Sequence, residues 1–558
     1  MGKRKHGISP STLLIALLAL ILPIFAATPS IEPKYVGSAD ATVNLVWRVD
    51  LQGQQVSELE VKTFGFGDYS SQLLISELSS PSSSLETDPF GNKIRVFNLP
   101  GTNYLTFSQT SELQLRFKFE FPPASGTAEF LKPSRYVLIT PEIRERAVQI
   151  TAGIQNDLGK AVAIAQWVHN NVQYDRDYTS RVEASDVVYK ERAGTCDEFS
   201  HLFIAMLRSV GIPAKFSASY VYSGEDWGAH AVVEAAIDGK WVPFDPTFNE
   251  AILLDATHIK FGEGLDQGDI KEDISVRGYS ADVSQIKLSR EFDVEFSKVR
   301  NFDKLFDLQL ILPSNVVGEK SLETVKVKVI NGPRQLAIPL SLTVPKEVKV
   351  QGQNRVNEDK LLLLGPNEEK TAEWSIVLPK LESGYDYKFP VRVDSLGQNA
   401  EGTIAASDNG DFSEKEDLQV TEVGTNSSPD GVSIIVRVKN TGNVFSYGTI
   451  SVSAPGVPSQ KKELTILVGD EQKFVFSLGN PEGEVMGEIA IETQTLRVSQ
   501  PFRLSTEPSE IPSEEPTIEP TAEPPRSFIP GMPDDYLFIF ALVLIVLVFL
   551  TTTRLHKL

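Results

Sequence analysis

Cys196, His230 and Asp245 follow one another in that order, in GTCDEFSHLF, GAHAVVEAAI and KWVPFDPTF. These are the residue types of a thiol nucleophile, its base and the carboxylate that orients the base. Cys196 is the only cysteine of the 558-residue chain, so no intramolecular disulfide can form. A thiolate, not a thiol, is the reactive species. The competing reading is that Cys196 is a small buried hydrophobe, a common fate of a free cysteine.

The elements that must position these residues are legible around them. Phe199, Leu202, Phe203, Met206 and Leu207 recur at helical spacing, which predicts a helix from near Cys196 to the breakers Gly211 and Pro213. Cys196 would then sit at a helix N-terminus, where free N–H groups and the macrodipole favour a thiolate and lower the thiol pKa. Downstream, HAVVEAAI and KWVPFD alternate like strands about the turn Asp238-Gly239. With those two residues as the loop, Ile237 pairs with Lys240, Val232 faces Asp245 and His230 faces Thr247. His230 and Asp245 become diagonal neighbours on one sheet face, roughly 7 to 8 Å apart at the backbone, within reach of an imidazole and a carboxylate. Asp245 would fix one ring nitrogen as N–H while the other takes the thiol proton.

Residues 136 to 260 resemble the transglutaminase-like superfamily of papain-like cysteine enzymes. The likeness rests on GTCDEFSHLFIAMLRSVGIPAKF as a nucleophile block, GAHAVVEAAIDGKWVPFDPTF as histidine and aspartate blocks, and LGKAVAIAQWVHNNVQYDRDY as their lead-in. The resemblance implies Cys196 as nucleophile, His230 as general base and acid, and Asp245 as orienter. Val232 stands where relatives often carry an aromatic residue. No glutamine lies between Arg176 and Cys196 to act as a side-chain oxyanion donor, which leaves the backbone N–H of Cys196 for that role.

His201 and His169 read as packing, surface or helix-end residues, and Trp227 as either a groove wall or simple packing. One cysteine and six scattered histidines supply no zinc pattern, and the DNGD turn at Asp408 lacks the ligands of a calcium loop; no metal or cofactor is expected. The net charge of −21, from 74 acidic and 53 basic residues, argues against nucleic acid as a partner. Asn426-Ser427-Ser428 permits glycosylation and no more.

The fold expected is a multidomain α+β chain. A β domain over 31–135 precedes a papain-like, transglutaminase-like catalytic domain over 136–285, and immunoglobulin-like β-sandwich modules follow over 286–405 and 416–505. Both ends carry targeting signals. GKRKH followed by LLIALLALILPIFA reads as a signal peptide or uncleaved anchor over 1–30. Residues 506–530, rich in Pro, Glu, Ser and Thr, read as an extended stalk. Residues 531–553 read as a transmembrane helix and 554–558 as a basic cytoplasmic tail, with the bulk of the chain extracytoplasmic on the cell membrane.

The function expected is cysteine-based acyl transfer on peptide or carboxamide bonds at the cell surface. Protease or amidase activity is preferred slightly over protein cross-linking, because water as acceptor needs no dedicated pocket. The alternative is a non-catalytic surface or adhesion protein that keeps the enzyme fold as a binding module.

Overall fold

A computed structural model describes residues 35–505, apart from 102–103, 225, 279–281, 352–357, 429–430 and 480–483. The chain is mostly β, with 53% of residues in strands and 14% in helices. This corrects the α+β expectation. The helices are α1 (Pro141–Thr151), α2 (Asp157–Asn171), α3 (Ser185–Glu191) and α4 (Cys196–Ser209), all within one stretch of the chain. Cys196, His230 and Asp245 all fall in or just after that stretch, whereas alternating apolar residues on either side set the architecture. No helix among the described residues is long and apolar enough to cross a membrane. The segments read as a signal and as a transmembrane helix lie outside the described residues.

The N-terminal β unit is built on the strand Val36–Asp50, whose alternation buries Val43, Leu45, Trp47 and Val49. It pairs with Tyr104–Arg116 on one side and Lys287–Asn301 on the other. A second sheet, around Glu58–Phe64 and Lys93–Pro100, is likewise extended by a late strand, Asp273–Arg277. The helix-bearing stretch, expected to be the catalytic domain, is therefore an insertion within this β unit. The boundary expected at residue 285 does not coincide with a change of sheet, since the strand Lys287–Asn301 returns to the first domain. A strand's own alternation does not say which neighbour it will pair with.

The inserted part sets α1 to α4 against an antiparallel sheet in the order Glu250–Ala251, Lys240–Asp245, Trp227–Ile237, Ala214–Tyr222, Ile259–Gly264. Helix α4 runs through the middle of the core, with Leu202, Phe203, Ile204, Met206 and Leu207 fully buried. Arg208 in its last turn donates to the carbonyls of Lys132, Ala214 and Leu265, tying the helix end to three neighbouring segments.

Two further cores lie beyond. One gathers Val325, Val327, Ile338, Trp374, Val391 and Ile404 between two four-stranded sheets. The other gathers Ile434, Val436, Ile450, Phe476 and Ile489 between a three- and a four-stranded sheet. Each contains a buried asparagine at a strand end whose amide donates to backbone carbonyls. Asn331 donates to Arg334 and Gly365, and Asn440 to Val444 and Ile466.

Candidate active site

The nucleophile position is made by the approach to α4. Gly194, Thr195 and Cys196 pass directly under Glu198, whose buried carboxylate accepts the Thr195 N–H and hydroxyl at 2.8 Å each and the Glu183 N–H at 2.9 Å. This is a side chain reaching back to the start of its own helix, which satisfies a donor that would otherwise be orphaned there. The approach is so close that a Cβ on Gly194 would lie 2.2 Å from the Cβ of Glu198. Only glycine fits. Cys196 is the first residue of α4 and is 9% exposed.

The hairpin that carries the other two residues closes as its turn residues dictate. Asp238 and Gly239 both take left-handed backbone angles, φ 50° and 71°, and Ile237 pairs with Lys240. The register continues through Val233 opposite Phe244. His230 and Asp245 are thereby brought onto the same face, and His230 Nε2 lies 2.7 Å from Asp245 Oδ2. The other carboxylate oxygen accepts the N–H groups of Thr247 at 2.8 Å and Phe248 at 3.0 Å. Asp245 is fully buried. The Phe248 ring stacks on His230 with centroids 4.8 Å apart and covers its face.

Cys196 meets this hairpin through Ala231, the residue after His230, whose backbone N–H donates to the sulfur. All three positions singled out in the sequence thus lie together. With Asp245 on Nε2, the remaining ring nitrogen of His230, Nδ1, is the one left for the thiol proton.

The electrostatics differ from expectation at the thiol. Burial, aided by the adjacent Asp197 carboxyl, pushes the Cys196 thiol up, and the Ala231 N–H pulls only partly the other way. A helix N-terminus favours a thiolate, but a sulfur this enclosed loses more hydration than the helix end returns. Asp197 itself is raised to about 7 by burial and by the charge of Glu198. For Asp245, burial works to raise the carboxyl, but the charge and hydrogen bond of His230, with those of His258, hold it well below the usual carboxylate range.

His258 was not singled out from the sequence. Its Nε2 lies 3.4 Å from the same Asp245 oxygen that His230 uses, and its Nδ1 lies 3.3 Å from Asp255 Oδ1. Phe248 and Tyr174 also escaped notice. Tyr174 sits opposite Gly194 in a short parallel pair, and its hydroxyl feels burial and the charge of Cys196, which both raise it. Only the D-P-T-F phrase after the aspartate hints at Phe248, and nothing in a lone histidine thirteen residues after Asp245 marks it as a neighbour.

The ligand atoms of His230, Asp245 and His258 lie within 4.8 Å of one another, near enough for a cation to touch all three. However, the His230–Asp245 contact has hydrogen-bond length, and two N–H groups already occupy the other carboxylate oxygen. The arrangement is a hydrogen-bonded cluster.

Residues 144–246 match the transglutaminase-like superfamily. The chain carries a transglutaminase-like domain. An uncharacterised protein of Mycobacterium leprae is 25% identical over 181 residues, covering 31% of this chain and 60% of that protein. YebA of Bacillus subtilis, also uncharacterised, is 25% identical over 152 residues, covering 22% of this chain and 20% of its own length. The chain thus spans less than two thirds of either relative. A crystal structure of a candidate cysteine protease from Cytophaga hutchinsonii aligns with 24% identity and a TM-score of 0.37, covering 48% of this chain and 92% of the other.

The remaining histidines of the transglutaminase-like domain are structural. His201 is fully buried, stacks on Tyr136 and contacts the Glu183 carbonyl at 3.0 Å; burial lowers it to about 4. His169, at the end of α2, does more than face the helix dipole. It contacts the carbonyls of Pro246 and Thr247 and the carboxylate of Asp359, linking the aspartate loop to the first sandwich. Trp227 packs edge-on against Tyr222 and Phe296.

Proposed function

We propose that the protein is a cysteine acyl-transfer enzyme acting on peptide or carboxamide bonds through a thioester. The observation that carries this reading is the buried 2.7 Å His230–Asp245 hydrogen bond on a strand whose next N–H donates to the sulfur of Cys196. His230 takes the thiol proton as the sulfur attacks the carbonyl carbon. The C–N bond then breaks, and the departing amine leaves with that proton. Water, deprotonated by His230, attacks the thioester and releases the acid and the thiol. A substrate amine in place of water would give cross-linking. Hydrolysis is preferred because it requires no second substrate pocket. Main-chain N–H groups at the start of α4 are the oxyanion donors in this scheme.

The thiol pushed up by burial gives this scheme its form. The resting sulfur is a neutral thiol, and its proton transfer to His230 belongs to the reaction step. The same burial supports the second reading, a peptide-binding module that retains the three residues as packing. An extracytoplasmic, membrane-anchored setting at the cell surface is supported by the basic-then-apolar start, the Pro/Glu-rich stretch and the apolar run near the end.

The test is alkylation of the purified full chain, with Cys196→Ser as the blank. Replacing His230 with Ala should slow modification of Cys196 at neutral pH by roughly 100-fold, the usual scale of a lost general base. Equal rates with and without His230 would leave the binding-module reading standing.

A further inference from the structure

We propose that His258 is a positioning residue for this reaction, its imidazolium sharing Asp245 with His230 and thereby limiting how firmly Asp245 holds a proton on His230. The inference rests on the Cys196–His230 chemistry proposed above.

The groups around His258 come from each element packed against it. Asp245, at the end of the strand Lys240–Asp245, faces its Nε2, and Asp255, in its own loop, faces its Nδ1. Glu250, paired directly across from Asp245, is the third carboxyl. His230 stands edge-on with ring centroids 6.0 Å apart, and the Phe248 ring closes the side at 6.3 Å. The side chain of His258 is 8% exposed.

The charges can be assigned from these neighbours. Asp255 is fixed as a carboxylate: it accepts the N–H groups of Tyr35, Val36 and Thr257 and the Thr257 hydroxyl. Burial and the negative charges of Asp255 and Asp245 raise Glu250 well above the ordinary range, so it is protonated and neutral. Burial would strip the proton from His258, but its hydrogen bonds to Asp245 and Asp255 prevail and push it up to about 10. Two carboxylates therefore enclose one imidazolium, and Asp245 reaches His230 with part of its charge already answered.

This matters because His230 must both take a proton from the thiol and give it to the leaving amine. A fully charged buried carboxylate hydrogen-bonded to His230 alone would hold the imidazolium and slow the second transfer. Asp255 also joins this set to Tyr35 and Val36 at the start of the N-terminal strand, so the β unit anchors the cluster.

The experiment is the pH dependence of carboxymethylation of Cys196 by iodoacetate in the full chain, comparing wild type, His258→Gln and His230→Ala. The glutamine amide can still donate to Asp245 but carries no charge. In His258→Gln the ascending limb, where His230 loses its own proton and becomes able to take one from the thiol, should move to higher pH by on the order of one unit. Rates lowered uniformly, with the limb unmoved, would mean a merely structural role and overturn the proposal. A wild-type profile indifferent to His230→Ala would overturn the cysteine–histidine reading itself. If His258→Gln does not fold, nitrogen spectra of the histidine-labelled wild-type chain decide the matter. His258 should carry both ring protons at pH 8, and a neutral ring at pH 7 would overturn the proposal.

Discussion

At the scale of single residues, the site depends on two tolerances that small changes would exceed. The first is the space under Glu198. In Gly194→Ala the new Cβ meets the Glu198 Cβ at 2.2 Å, and both belong to rigid parts of their side chains. The start of α4 must shift, carrying Cys196 away from Ala231. Alkylation of Cys196 should fall about tenfold or more while the rest of the fold survives, since misplacing a reacting group by about 1 Å can cost two orders of magnitude. Near-native circular dichroism with slowed alkylation is the expected pair of results. The second is the charge on Asp245. Asp245→Asn leaves the buried His258 imidazolium with Asp255 alone, and loss of one partner from a buried pair costs about 3 to 5 kcal/mol. Urea unfolding should show that loss, together with alkylation at the level of His230→Ala.

The sheet that carries His230 is held together by a charge cluster across three strands, on the face that His230 shares with Glu234 four residues further along. Lys215, directly opposite Glu234 in the ladder, contacts Glu234 at 3.1 Å and Glu263 at 2.6 Å. Lys260 contacts the same two carboxylates at 2.5 Å and 2.6 Å. Burial would raise Glu234, but the charges of Lys260 and Lys215 win and lower it to about 2. A depressed carboxyl contributes stability that is present above its unfolded value of 4.5 and is lost as pH falls toward 2. Glu234→Gln should therefore be less stable than wild type at pH 7, and the gap should close between about pH 4.5 and 2. Thermal melts across that range measure it. A constant gap would mean that the glutamine disturbs packing and not charge.

Across the whole molecule, the site is clamped from outside the transglutaminase-like domain. Gln166, Asn170 and Asn249 all hydrogen-bond the backbone of residues 359–361, the edge of the first sandwich. His169 links Asp359 to the carbonyls of Pro246 and Thr247, one step beyond Asp245. Asp359→Ala should cost only about 1 kcal/mol in global stability, as a partly exposed pair does. Its local effect should be larger. Hydrogen exchange at the amides of Thr247 and Phe248, which hold Asp245, should accelerate while exchange within α4 stays unchanged.

The sequence by itself determined the local elements and what each presents. Helical spacing after Cys196, the Asp238-Gly239 turn and strict alternation on either side fix a helix start, a hairpin register and a run of β strands. All of these follow from backbone geometry within a few residues. They were enough to place Cys196, His230 and Asp245 in one reaction scheme. Tertiary structure decided what depends on remote partners. It enclosed the thiol and reversed the expected direction of its pKa, because desolvation is set by everything packed around a group. It paired Lys287–Asn301 with Val36–Asp50 and so threaded the transglutaminase-like stretch through a β unit. It also brought His258 onto Asp245, a contact that no periodicity encodes because it arises only when the loop between the strands Glu250–Ala251 and Ile259–Gly264 crosses from one edge of the sheet to the other.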